Sequence, residues 1–100
     1  MSDQEEAVAL VPAVREAIGN FDRHIVTTSQ GDLKVKMATA NWGSIFPVET
    51  HYLNPRTLVS AEIMGCGFST FMDDKDIEHR IEVIIGRMRR ANSARLALAR

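Results

Sequence analysis

The sequence predicts a small α+β domain: a kinked N-terminal helix, an antiparallel sheet of three or four strands and a long C-terminal amphipathic helix. Three observations carry this. Apolar residues recur every three or four positions at both ends of the chain, the period changes to two in the middle, and Gly, Pro and Asn punctuate that middle without dividing it. A chain of 100 residues suits one domain, 1–100, large enough for a real core but not for an elaborate enclosed active site.

The first element begins at Ser2 and Glu5, which have capping-box spacing, with acids crowding the first turn. Ala7, Leu10, Val11, Val14, Ile18 and Phe21 then recur at three and four. Pro12 interrupts them: inside a helix it removes the bond to the Val8 carbonyl and crowds that turn, so a kink or break is expected there. Gly19-Asn20 is a stop signal. From Arg23 the period is two. His24 to Thr28 reads as a short strand, Ser29 to Asp32 as a turn, and Leu33, Val35 and Met37 alternate with Lys34 and Lys36, giving one buried and one solvated face. Asn41 to Ser44 reads as the next turn. Phe46, Val48, Thr50 and Tyr52 share one face of a further strand, with Glu49 and His51 on the other and Pro47 near its start. After Asn54-Pro55 the reading forks. Val59, Ala61 and Ile63 alternate like a strand, while Asn54, Pro55 and Gly65 would cap, start and stop a helix; the strand is preferred. Gly65-Cys66-Gly67 loosens the chain before Phe68 and Phe71 return it to the core.

The closing helix is the clearest element. Asp73 or Asp74 can cap it, and Ile77, Ile81, Ile84, Ile85, Met88 and Ala91 form its apolar stripe. Arg95 falls in the middle of the same arc. A buried unpaired Arg is very costly, so the stripe is expected to leave the core before it, with a break at Asn92-Ser93 and a short tail helix. Gly86 falls on the opposite, outward side.

Net charge is -1, so no whole-molecule field draws in nucleic acid or membrane. The halves differ, however: seven acids and four bases precede residue 51, six acids and eight bases follow. One cysteine excludes an internal disulfide and fits a reducing compartment. The acidic start MSDQEE lacks a signal-peptide core, and no apolar run approaches a membrane span. A cytoplasmic protein without membrane contact is expected.

No catalytic constellation is visible. His24, His51 and His79 lack zinc spacing, and one Cys cannot supply a thiolate set. A Cys66–His51 or Cys66–His79 nucleophile has nothing beyond residue type behind it. Gly65-Cys66-Gly67 lacks a phosphate-cradling pattern, and Asp73, Asp74 and Asp76 lack the alternation of a calcium loop. No cofactor, no metal and no enzyme activity is expected. Two features can carry binding. Arg87, Arg89 and Arg90, with Arg80 upstream, crowd the last helix; the plainer reading is a solvated helix end complementing the dipole. Trp42, near Phe46 and Tyr52, is of the type that dominates protein–protein hot spots; the plainer reading folds it over the core edge.

The reading of function that follows is a non-enzymatic module binding another protein, through Arg87, Arg89, Arg90 and Arg80 with Trp42 and Tyr52. A nucleic-acid-binding module using the Arg-rich C-terminal helix is the alternative, marked by strong salt dependence; a small enzyme or small-molecule carrier is a third. In format, with its acidic start SDQEEA, mixed αβ middle and Arg-rich end RMRRANSAR, the chain resembles the small phage-borne inhibitors of bacterial defence, the anti-CRISPR type. That resemblance rests on no motif and carries no residues over. It implies stoichiometric binding to a nucleic-acid-handling effector complex, blocking DNA recognition or strand separation.

Overall fold

A computed structural model describes residues 2–18, 25–54 and 56–99, the last three by backbone. The element order is α1 (Asp3–Ile18), β1 (Ile25–Thr28), β2 (Gly31–Met37), β3 (Trp42–Pro47), β4 (His51–Leu53), β5 (Ser60–Glu62), β6 (Cys66–Ser69) and α2 (Asp74–Ala99). β1, β2, β3 and β6 form an antiparallel sheet in that order, and β4 and β5 form a separate two-stranded hairpin. The expected α+β architecture is found, with a helix at each end of the chain and four strands where three or four were expected in the sheet.

Both helices lie on one face of the sheet. Their apolar sides (Ala7, Val11 and Val14 of α1; Ile77, Ile81, Ile84, Ile85 and Met88 of α2) close over Val26, Leu33, Val35, Ile45 and Phe68. Local chemistry sets the helix starts. Ser2 and Glu5 exchange bonds, Glu5 N–H to Ser2 Oγ at 3.1 Å and Ser2 N–H to Glu5 Oε1 at 3.3 Å. Asp73 Oδ1 accepts from Asp76 N–H at 2.9 Å and caps α2. Glu6 of α1 accepts from both the N–H and the hydroxyl of Ser29, tying the helix to the β1–β2 turn.

Several expectations change. α1 is continuous through Pro12, without a break. Pro12 is exposed, as is Val8, so the orphaned Val8 carbonyl sits where water can serve it. The expected Gly19-Asn20 stop, Phe21 and His24 lie outside the described residues. The run Phe46 to Tyr52 is two strands in two sheets, because the chain bends at Val48–Glu49 after Pro47. Trp42, Gly43 and Ser44 start β3 rather than forming a turn; the turn is at 38–41. Gly43 serves close packing, since a Cβ there would lie 2.6 Å from Met37 Sδ and 2.8 Å from both the Lys36 carbonyl and Phe68 Cζ. Gly65-Cys66-Gly67 leads into edge strand β6 rather than a loose loop. The fork after Asn54 resolves into both motifs at smaller scale. Asn54 Oδ1 caps a turn by accepting from Arg56 and Thr57 N–H, and Ser60–Glu62 is the strand. Phe68 is buried but Phe71 is 80% exposed, so Phe71 is not a core residue. Gly86 is buried, facing the start of α1, rather than outward.

The largest correction concerns Arg95. α2 does not break at Asn92-Ser93 but runs to Ala99. Asn92 Nδ2 donates to the Gln30 carbonyl at 2.9 Å, anchoring the helix at the expected break. Arg95 remains on the inward arc because it is paired: it meets Glu49 Oε2 at 2.9 Å and donates to the His51 carbonyl. The cost attached to an unpaired buried charge does not arise.

Candidate functional site

The predicted arginines are positioned by α2, and they do different things. Arg80 and Arg87 are seven residues apart, two helical turns, and reach the free edge of β6. One carbonyl of that edge, Gly67, and two of the segment leading into it, Met64 and Gly65, accept from them. Arg80 Nε donates to the Gly67 carbonyl at 2.6 Å. Arg87 Nη1 donates to the Met64 and Gly65 carbonyls at 3.0 and 3.2 Å and lies 3.4 Å from Cys66 Sγ. Arg89 points to the other flank and pairs with Asp3 Oδ2 at 2.5 Å, tying the two helices. Arg90 is exposed and makes no ion pair or side-chain hydrogen bond among the described residues.

Arg87 and Arg90 are brought together with Tyr52. The β4–β5 hairpin leans on the second half of α2, and between them lies a cleft of about 270 Å³ lined by Tyr52, Glu62, Ile63, Met64, Arg87, Arg90 and Ala91. Its chemistry is mixed. Ile63 and Ala91 form an apolar floor, Met64 is 70% exposed at the rim, and Arg87, Arg90 and Glu62 bring two cations and one carboxylate. Arg87 is held in place by the backbone at 64–65, so its aliphatic stem forms a fixed wall, while Arg90 is held by nothing described. Such a cleft fits an extended peptide segment or a loop of another protein better than a small molecule, which needs a deeper enclosure.

The remaining candidates lie elsewhere. Arg80 serves the sheet edge further along α2. Trp42, 59% exposed, stands at the start of β3 rather than in a loop or folded over the core edge. Its strand partner is Ser69, and Thr70 N–H bonds the Asn41 carbonyl, so exposed Phe71 stands at the same end of the sheet. Phe71 is a surface aromatic that sequence reasoning placed in the core; its nearness to the capping Asp73 is the signal that the chain had already left the sheet. Met64 was also missed, because one Met between Ile63 and Gly65 carries no period.

Cys66 Sγ faces Arg87, and neither His51 nor His79 bonds it. No three His, Cys, Asp or Glu side chains converge as a metal site among the described residues, and no helix among them is long and apolar enough to cross a membrane. Comparison of the chain with family models, with curated proteins and with solved structures finds no match.

Proposed function

We propose that this chain is a non-enzymatic protein-binding module, a stoichiometric inhibitor or adaptor of a nucleic-acid-handling complex in the cytoplasm. Its docking site is the cleft between the β4–β5 hairpin and α2. The observation that carries this reading is Arg90, a cation with no described partner beside Tyr52 and exposed Met64. Arg, Tyr and Met are enriched where proteins bind proteins, and an acidic side chain of the partner would complete Arg90 while an apolar one covers Met64 and the floor. The class of target comes from the format shared with anti-CRISPR inhibitors. The other predicted arginines play supporting parts: Arg80 and Arg87 fix the hairpin-proximal edge, and Arg89 fixes the two helices.

The test is affinity capture by the tagged chain from lysate with and without nuclease treatment, with Arg90→Glu and Tyr52→Ala run in parallel. Capture of a discrete complex at one-to-one stoichiometry, weakened about tenfold or more by either substitution, is expected from the usual worth of a central Arg or Tyr contact. Capture unchanged in both variants places the docking surface elsewhere. Capture abolished by nuclease overturns the protein-binding reading.

A further inference from the structure

The sheet has a second face, and no helix among the described residues covers it. Strand alternation puts Ile25 and Thr27 of β1, Lys34 and Lys36 of β2, Trp42, Ser44 and Phe46 of β3, and Gly67 of β6 on the side away from the core. Three features of this face converge.

The first is a pair of aromatic rings on one strand. Trp42 and Phe46 are four residues apart on the same side of β3, hence about 13 Å apart, with only Ser44 between. The second is flatness. Gly65 and Gly67 present no side chains where they flank Phe46 and Ser44; a Cβ on Gly65 would lie 2.6 Å from Phe46 Cδ1, so the Phe46 ring rests against that glycine. The third is charge. Lys34 and Lys36 stand beside the aromatics with no ion pair among the described residues. Along the opposite border, Arg80 and Arg87 bond carbonyls and the Cys66 sulfur and make no ion pair among the described residues. Among the described strand residues one carboxylate, Asp32, shares the face, at the end beyond Phe46.

We infer that this face binds single-stranded nucleic acid, with bases stacked on Trp42 and Phe46 and phosphates running between the lysines of β2 and the guanidinium groups at the β6 edge. Stacking needs an accessible ring face, and the strip of glycine and serine keeps the β6 side of Trp42 and half-buried Phe46 low. A sheet of this size stacks two or three bases in other architectures, and aromatic platforms with cationic borders bind single strands with little sequence preference. A duplex offers no exposed base faces, so the same surface discriminates against it. This is a different surface from the cleft that docks protein, and its residues are different except for Arg87.

The chain has one tryptophan, so its fluorescence reports stacking at Trp42 directly. The probe is an oligodeoxythymidine of about twelve nucleotides, within the length one such platform covers, against a duplex of equal length and a polyglutamate peptide. Titration of the full chain is expected to quench Trp42 with the single strand, to bind the duplex at least about tenfold more weakly, and to leave polyglutamate unbound. With up to four cations engaged, the log–log salt slope is expected near about −3, falling by about 1.4 in a Lys34→Ala, Lys36→Ala double variant. Phe46→Ala risks the packing against Gly65, so Gly67→Glu is the second variant. A Cβ there meets only the Gly43 carbonyl, at 3.8 Å, and the carboxylate stands on the strip itself. It is expected to abolish binding with the thermal transition unchanged. Absence of quenching at 50 mM salt overturns the inference. So does equal binding of duplex or polyglutamate, or full affinity in a folded Gly67→Glu variant. Tyr52→Ala leaves these titrations unchanged, which separates this outcome from that of the docking cleft.

Discussion

Gly86 lies in the interior of α2, buried against the start of α1, and the structure leaves room for a side chain it does not have. A Cβ built there has Arg90 Nη1 at 3.5 Å and Asp3 Oδ2 at 3.9 Å as its nearest neighbours, both ordinary contacts and both at the ends of side chains. Glycine in a helix interior costs about 0.8–1.0 kcal/mol relative to alanine. Burying the added methyl contributes up to about 0.8 kcal/mol more where it finds contacts, and here it finds few. Gly86→Ala is therefore expected to stabilise the protein by about 1 kcal/mol, which for a domain of this size raises Tm by about 4–8 °C. Thermal unfolding followed by circular dichroism measures this. Gly43→Ala is the control with the opposite sign, because its Cβ would meet the Lys36 carbonyl and Phe68 Cζ, both at 2.8 Å. Overpacking of that kind costs about 1–3 kcal/mol. A lowered Tm in Gly86→Ala would refute the geometry of the α1–α2 contact, since only a closer approach of α1 could turn the sign.

Arg95→Ala is expected to loosen the β4–β5 hairpin before the rest of the fold, because Arg95 joins α2 to Glu49 and to the His51 carbonyl and a two-stranded hairpin is marginal alone. Glu49 is 76% exposed, so the ion pair itself adds little and the carbonyl bond supplies most of a loss of about 1–2 kcal/mol. Hydrogen exchange that rises at 51–62 while the four-stranded sheet stays protected is the expected pattern; a uniform rise would contradict it. Leu58 has φ 56° and is 68% exposed at the hairpin tip. Leu58→Gly trades a left-handed penalty of about 1–2 kcal/mol for a glycine entropy cost of about 0.5–1. A gain of about 0.5 kcal/mol in chemical unfolding follows from that difference, and a loss above about 1 would mean that the Leu58 side chain packs on something.

How much of this was legible in the sequence depended on whether the signal was local. The stripe Ile77 to Ala91 is buried throughout, and the Ser2–Glu5 and Asp73 caps form as their spacing implies. These features need only a helix and its own ends. The alternation from Phe46 to Tyr52 is equally regular, yet it spans two sheets. A period of two groups side chains by face but names neither the buried face nor the sheet: Phe46 and Val48 turn away from the core while Ile45 and Pro47 are buried. Pro47 was the available clue: it pairs with Leu33 at the last position of β3, where β6 no longer follows. Gly43 misled for a related reason. Glycine marks a turn or a close approach with the same letter, and here the Phe68 ring and the Lys36 backbone decide.

The arginines show where such reading stops. By sequence, Arg80, Arg87, Arg89 and Arg90 are one basic cluster and Arg95 an anomaly on the apolar arc. In the fold, Arg89 and Arg95 meet carboxylates, Arg80 and Arg87 meet backbone carbonyls, and Arg90 meets nothing described. Acceptor type is a tertiary fact, and it decides what each charge can still do. A guanidinium bonded to a carboxylate has its charge largely offset, though donors remain. One bonded to a carbonyl has used donors only, and its field persists at the surface. The unpaired strand edge at β6 thus has a consequence for function. Its Gly67 carbonyl and those of Met64 and Gly65 just before it hold two arginines by their donors alone, beside the aromatic face, on a molecule whose net charge is -1.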